Sequence, residues 1–152
     1  MYRRWRAVKD SFGTNEQLYR RFRRTDLVNG ELVPSALKFP KKGEATGQSV
    51  NRSAFSKPED ALWDEEKRYD GWGVFQFPVA CLPSELTCPD TGRRFTFFPK
   101  HVPVRKNYAH SEIWCDRLPR AHAGYVVPTS LVKLELRALI SQNIQVVLTA
   151  QR

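Results

Sequence analysis

The sequence predicts an α+β fold: a mainly antiparallel sheet or partial barrel with two or three short helices, in one compact domain over residues 1–152. Three observations lead there. Ten prolines against eight glycines divide the chain into many short elements joined by turns, which disfavours a helix bundle. Hydrophobic residues make up 41% and aromatics 12%, the composition of a globular core rather than a disordered chain. A chain of 152 residues buries about 70% of its extended-chain surface, so it folds without covalent staples.

At the N-terminus, "MYRRWRAVKDSF" (1–12) has a basic start but no apolar core and no cleavage signal, so it reads as part of the protein rather than a leader. Thr14-Asn-Glu-Gln17 fits a capping box, and Leu18 and Phe22 lie four apart on one helical face. A helix is the expectation there. Its rival is a strand that turns Leu18, Arg20 and Phe22 to one side. In "DLVNGELV", Asn29-Gly30 between short apolar runs predicts a type I′ hairpin, which needs positive φ at both central residues. Pro34 limits how the second strand pairs, and "KFPKKGEATGQ" is a polar loop.

Ser56-Lys-Pro-Glu59 is a second capping box with Pro58 in the first turn. It predicts a helix of about three turns near 57–68, with Leu62 and Trp63 inward, ended by "DGWG" at 70–73. "VFQFPVA" (74–80), "FTFFP" (95–99) and "HSEIWC" (110–115) read as strands. "CPDTGRR" between the first two is a tight turn. After Pro128, Thr129 or Ser130 caps a helix over about 131–141. Its apolar residues fit two periods: Val132, Leu134 and Leu136 alternate, while Leu131, Leu134, Ala138 and Leu139 or Ile140 suit a helix. "IQVVLTA" (144–150) is the clearest strand, short and β-branched.

The formal charge is +9, and it is uneven. Residues 1–24 hold eight Arg or Lys against Asp10 and Glu16, a net +6. The other 128 residues carry 17 basic and 14 acidic side chains, a net +3. This basic N-terminal segment, 1–24, predicts an anionic partner: nucleic acid, a nucleotide or an acidic protein face. No run of eighteen apolar residues occurs, so no membrane partner is expected. Cys81, Cys88 and Cys115 are odd in number and widely spaced, which predicts free thiols and a reducing, cytoplasmic setting.

Several chemistries are excluded or weakened by spacing. Cys81, Cys88, Cys115, His101 and His110 are metal-ligand types, but Thr91 stands where "TCPDTG" would need a second thiolate for a zinc knuckle. No metal and no cofactor is expected. There is no Gly-x-Ser-x-Gly elbow, and "DGWG" lacks the lysine and Ser/Thr of a phosphate loop. The arginines remain. "YRRFRRTD" (19–26) interleaves aromatics with Arg20, Arg21, Arg23 and Arg24, and "YRRWR" adds Arg3, Arg4 and Arg6 beside an indole. Arginine suits bidentate contact with phosphate, and aromatic rings stack on bases. His110 and Glu112 lie two apart on an expected strand and project to one face. With Arg52 they make a catalytic constellation for acid–base work on a phosphorylated ligand.

Arg52 lies in "GQSVNRSAFSKPEDALW". Ser49 and Asn51 fall on one face of the expected strand and Arg52 on the other, so the three share a pocket only if the strand breaks. Arg52 is therefore an anion clamp beside the helix start, or a structural partner of Glu59 or Asp60.

The order "RR…VNGELVPSALKF…SVNRSAFSKPEDAL…GWGVFQFPVACL…NYAHSEI", over about residues 19–115, resembles a family of small bacterial proteins of unknown function. The resemblance implies a compact bacterial cytoplasmic domain and carries no catalytic roles. The layout is also similar, more distantly, to ADP-ribosyltransferase-type folds, in which an early strand Arg or His, a Ser or Tyr and a late Glu grip NAD. The corresponding positions would be Arg21, Ser49 and Glu112. The usual glycine beside the first of these is missing here, and no tyrosine-bearing motif follows the second strand.

Three functions are expected from these features. The first is a binding module that holds an anionic partner through its N-terminal arginines and Ser49, as one subunit of a multi-subunit defence or toxin-type assembly. The second is an ADP-ribosyltransferase-like or nucleotide-cleaving enzyme using Arg52, His110 and Glu112. The third is an interaction subunit, since four tryptophans and nine phenylalanines suit a partner face.

Overall fold

The computed structural model describes residues 11–39, 47–119 and 126–151. Among these residues the chain forms β1 (Gln17–Phe22), β2 (Leu27–Val28), β3 (Glu31–Leu32), β4 (Gln48–Arg52), β5 (Trp63–Asp64), β6 (Lys67–Arg68), β7 (Gly73–Pro78), β8 (Leu86–Thr87), β9 (Arg94–His101), β10 (His110–Leu118), α1 (Ser130–Ser141) and β11 (Gln145–Leu148). Seven strands make one antiparallel sheet, β11-β7-β1-β4-β10-β9-β8, curled into a half-barrel. The mixed α+β class, mostly sheet, is as expected.

Strand alternation sorts the side chains. Leu18 and Phe22 of β1, Val50 of β4, Phe75 and Phe77 of β7, Phe95 and Phe97 of β9, and Ile113 and Cys115 of β10 are all buried in one cluster. The helix α1 closes this cluster with Val132, Leu136 and Ile140, three residues at four-residue spacing. The helix is where the sequence puts it, but its buried stripe is not the one expected. Leu134 is 61% exposed and Leu131 37%, because α1 lies on the sheet along the Val132–Ile140 line. It is also fastened laterally: the Ser141 hydroxyl accepts the Leu32 N–H at 3.0 Å.

Two expected helices are absent, and each has a physical reason. Residues 17–22 form β1. A spacing of four puts Leu18 and Phe22 on one side in either period, and pairing decides the outcome: all six residues of β1 pair with β7. Near 57–68, Pro58–Leu62 makes only a 3₁₀ turn. Its N-cap is Lys57, whose N–H donates to Asp60 Oδ2 at 2.8 Å, while the Ser56 hydroxyl donates to the Arg52 carbonyl. Leu62 is buried, but Trp63 to Arg68 are all exposed, so a further helical turn would bury nothing. The chain reverses instead in the β5–β6 hairpin, with Glu65 at φ +54°.

The turns agree with their chemistry. Asn29 (φ +51°) and Gly30 (φ +79°) close the β2–β3 hairpin. The "CPDTGRR" turn joins β8 to β9, with the Cys88 N–H donating to the Arg93 carbonyl. "VFQFPVA", "FTFFP", "HSEIWC" and "IQVVLTA" lie in β7, β9, β10 and β11. Most of the polar loop before β4 lies outside the described residues. No helix among the described residues is long and apolar enough to cross a membrane.

The sheet has one irregularity at its centre. β1 pairs with β7 over six positions but with β4 over only two, Leu18↔Arg52 and Tyr19↔Asn51. Beyond Tyr19 the two strands part, and the sheet opens a notch between Arg20–Phe22 and Gln48–Val50.

Candidate anion-binding hollow

A hollow of about 470 Å³ lies over the notch. Its floor comes from β1 (Tyr19, Arg20, Arg21) and β4 (Ser49, Asn51). Its walls come from Arg23, Asp26 and Lys38 on one side, the β5–β6 hairpin with Tyr69 and Trp72 on another, and Val104, Arg105, Asn107 and His110 on the third. Five cationic side chains line it against three carboxylates, Asp26, Asp64 and Glu65.

Arg20, Arg21 and Arg23 are each held in place. Arg20 spans the notch: its Nε donates to the Ala36 carbonyl at 2.9 Å and its Nη1 to the Ser49 carbonyl. Where β1 and β4 fail to pair, this guanidinium takes over part of the ladder's role. Burial, with the Arg21 charge nearby, lowers its pKa to about 10, so it remains a cation at neutral pH. Arg21, on the opposite face of β1, lies 3.9 Å from the Tyr69 ring centre and 3.9 Å from Asp64. Arg23 grips buried Asp26 at 3.0 Å and sits 5.7 Å from the Trp72 ring centre. Tyr69 and Trp72 meet edge to face at 5.0 Å, so the two rings brace both guanidiniums.

The far wall is held by side-chain amides. Asn107 Nδ2 donates to Asn51 Oδ1 at 2.8 Å, which ties the Val102–Asn107 loop, and Arg105 with it, to β4. His110 Nδ1 lies 2.7 Å from the Val102 carbonyl, and its Nε2 lies 3.3 Å from Ser49 Oγ. These contacts come from the β4–β10 register, His110↔Asn51 and Glu112↔Ser49.

The residues singled out from the sequence fall into separate places. Arg20, Arg21, Arg23, Ser49 and His110 line the hollow. Arg24 is exposed outside it, and Arg3, Arg4 and Arg6 lie outside the described residues. Arg52 is on the other face of β4, 2% exposed and paired with Glu16. Glu112 is buried and accepts a hydrogen bond from Trp114 Nε1 at 3.0 Å. The expected meeting of Arg52, His110 and Glu112 in one pocket is therefore not formed: strand alternation sends Arg52 into the core, and Glu112 does not line the hollow. Arg52 pairs with Glu16 and not with Glu59 or Asp60. The Arg21, Ser49 and Glu112 grouping is likewise divided, with only the first two in the hollow.

The aromatic wall was not legible in the sequence. Tyr69 and Trp72 flank "DG" and read as a helix stop, and Trp63 as an inward helical residue. Among the described residues, no three His, Cys, Asp or Glu side chains gather as metal ligands would. The thiols differ: burial pushes Cys81 up to about 11 and Cys115 to about 12, whereas hydrogen bonds from Thr129 and Thr91 bring Cys88 down to about 7. The chain matches no family model, no curated protein and no solved structure at a significant level.

Proposed function

We propose that the hollow binds an anionic ligand carrying planar rings: a nucleotide or a stretch of single-stranded nucleic acid. The observation that carries this is the convergence of Arg20, Arg21 and Arg23 with Tyr19, Trp63, Tyr69 and Trp72 around one space. Guanidiniums meet phosphate in a bidentate way, and aromatic rings stack on bases whatever their sequence. The volume lies within the range of small-molecule and cofactor sites. An acidic protein face would use the charges but not the rings. A bacterial cytoplasmic setting and a place in a multi-subunit assembly belong to this proposal.

The test is fluorescence anisotropy with a labelled single-stranded oligonucleotide across a salt series. Affinity should fall linearly on log–log axes, by about 0.7 per phosphate neutralised. Arg21→Ala should weaken binding and flatten that slope by about 0.7, the share of one phosphate contact. Trp72→Ala should cost about 1–3 kcal/mol with the salt slope retained. Absence of binding at low salt would end the proposal.

A further inference from the structure

We infer that Ser49 and His110 form a nucleophile–base pair that hydrolyses a phosphodiester held in the hollow. This rests on the proposed binding of a phosphate-bearing ligand there and adds chemistry to it.

The imidazole is fixed first. A carbonyl oxygen only accepts hydrogen bonds, so the 2.7 Å contact between His110 Nδ1 and the Val102 carbonyl puts a proton on Nδ1. In the neutral ring Nε2 then bears the lone pair, and Nε2 is the atom 3.3 Å from Ser49 Oγ. This is the arrangement general-base activation of a hydroxyl requires: nucleophile, base, and a third group that fixes the tautomer. Here the third group is a main-chain carbonyl. The Val102 loop is held by the Asn107–Asn51 bond and by the Val102 N–H, which donates to the His110 carbonyl at 3.1 Å. The ring is thus anchored beside the strand that carries Ser49. Ser49 is exposed, so its hydroxyl is open to a ligand.

The surroundings select the substrate. Arg20 donates to the main-chain carbonyl of Ser49 itself, which keeps a guanidinium beside the nucleophile, and Arg105 and Lys38 line the same space. Cations so placed neutralise the non-bridging oxygens of a phosphoryl group as charge builds on them.

In the first step Ser49 Oγ attacks phosphorus, its proton passes to His110 Nε2, and the P–O bond to the leaving alkoxide breaks. The imidazolium returns that proton to the alkoxide, releasing an alcohol and leaving a phosphodiester on Ser49. Water then attacks the phosphorus, giving its proton to Nε2, and the serine oxygen leaves and recovers it. The net reaction consumes one water and yields an alcohol and a phosphomonoester.

The experiment uses the full chain with two probes, bis(para-nitrophenyl) phosphate and a labelled single-stranded RNA. Cleavage and anisotropy are measured on the same samples. Expected are cleavage by the native protein and its loss by roughly 10²–10⁴-fold in both Ser49→Ala and His110→Gln, with RNA still bound by Ser49→Ala. Because Ser49 is exposed, its alanine variant keeps the fold. Binding without cleavage in the native protein overturns the dyad and leaves the binding proposal standing. Native rates in Ser49→Ala overturn the nucleophile. Neither binding nor cleavage removes both proposals.

Discussion

Arg52→Ala is expected to lower the stability of the fold by about 3–5 kcal/mol, the cost of stripping one partner from a buried ion pair. Arg52 Nε and Nη2 donate to the two oxygens of Glu16 at 2.7 and 2.8 Å, with side-chain exposures of 2% and 6%. Nη2 also donates to the Ser11 carbonyl at 2.7 Å. The guanidinium lies 4.0 Å from the Phe12 ring centre and 4.7 Å from that of Phe55. Removing it leaves the Glu16 carboxylate buried without its counter-charge and two phenyl rings without the group they pack on. Urea unfolding should show a lower midpoint at unchanged slope. An unmoved midpoint would refute this role for the pair. Arg52→Met with Glu16→Leu should recover much of the loss, since an apolar pair of similar size removes both charges at once.

The same pair sets an acid limit. Burial of Glu16 raises its pKa, but the hydrogen bond from Arg52, those from the Gly13 and Ala54 N–H groups and the Arg52 charge together outweigh burial, and the net shift is downward from 4.5. A carboxylate with a lowered folded pKa contributes stability in full above its unfolded value and loses it as pH falls through the folded one. Stability should therefore decline as pH drops below about 4.5. In Glu16→Gln that part of the decline should vanish; an unchanged pH profile would count against it.

Gly73→Ala is expected to cost about 3 kcal/mol, the upper end for overpacking. A Cβ there would lie 2.5 Å from the Leu148 carbonyl oxygen, 2.6 Å from the Ala150 nitrogen and 2.6 Å from Phe22 Cε1. Two of those atoms are main chain, so relief requires β11 to move off β7. Gly30→Ala makes the comparison, since nothing lies within 4 Å of the added carbon there and only the left-handed φ resists, at about 1 kcal/mol. Equal losses at the two positions in thermal or urea unfolding would contradict the packing explanation.

The central strands were legible because each is a short apolar run bounded by turn residues. Asn29-Gly30 was legible because few dipeptides accept two positive φ values. The misread elements turn on contacts that are not local. Leu18 and Phe22 satisfy both periods, and only the arrival of β7 decides between them. Pro58-Glu59-Asp60 starts a turn of either kind, and nothing local says that burial stops at Leu62. The arginines of the hollow are visible as a charge run, but their partners are not: Arg21 meets Tyr69, and Arg23 meets Trp72, both in the turn that leads into β7. Ser49 and His110 are 61 residues apart, and only the β4–β10 register brings them together. Alternation separates Arg52 from Ser49 and Asn51, yet its partner Glu16 comes from a segment 36 residues earlier.

The two-position pairing of β1 with β4 divides the sheet into β11-β7-β1 and β4-β10-β9-β8. Such a seam marks a boundary between cooperative opening units. Amides of β7 and of β9–β10 would then exchange with deuterium at two distinct free energies rather than one. A ligand held over the notch touches both halves, so occupancy should draw the two values together, with a gain that grows with the ratio of ligand concentration to Kd. Protection at residues far from the hollow would thereby report on its occupant.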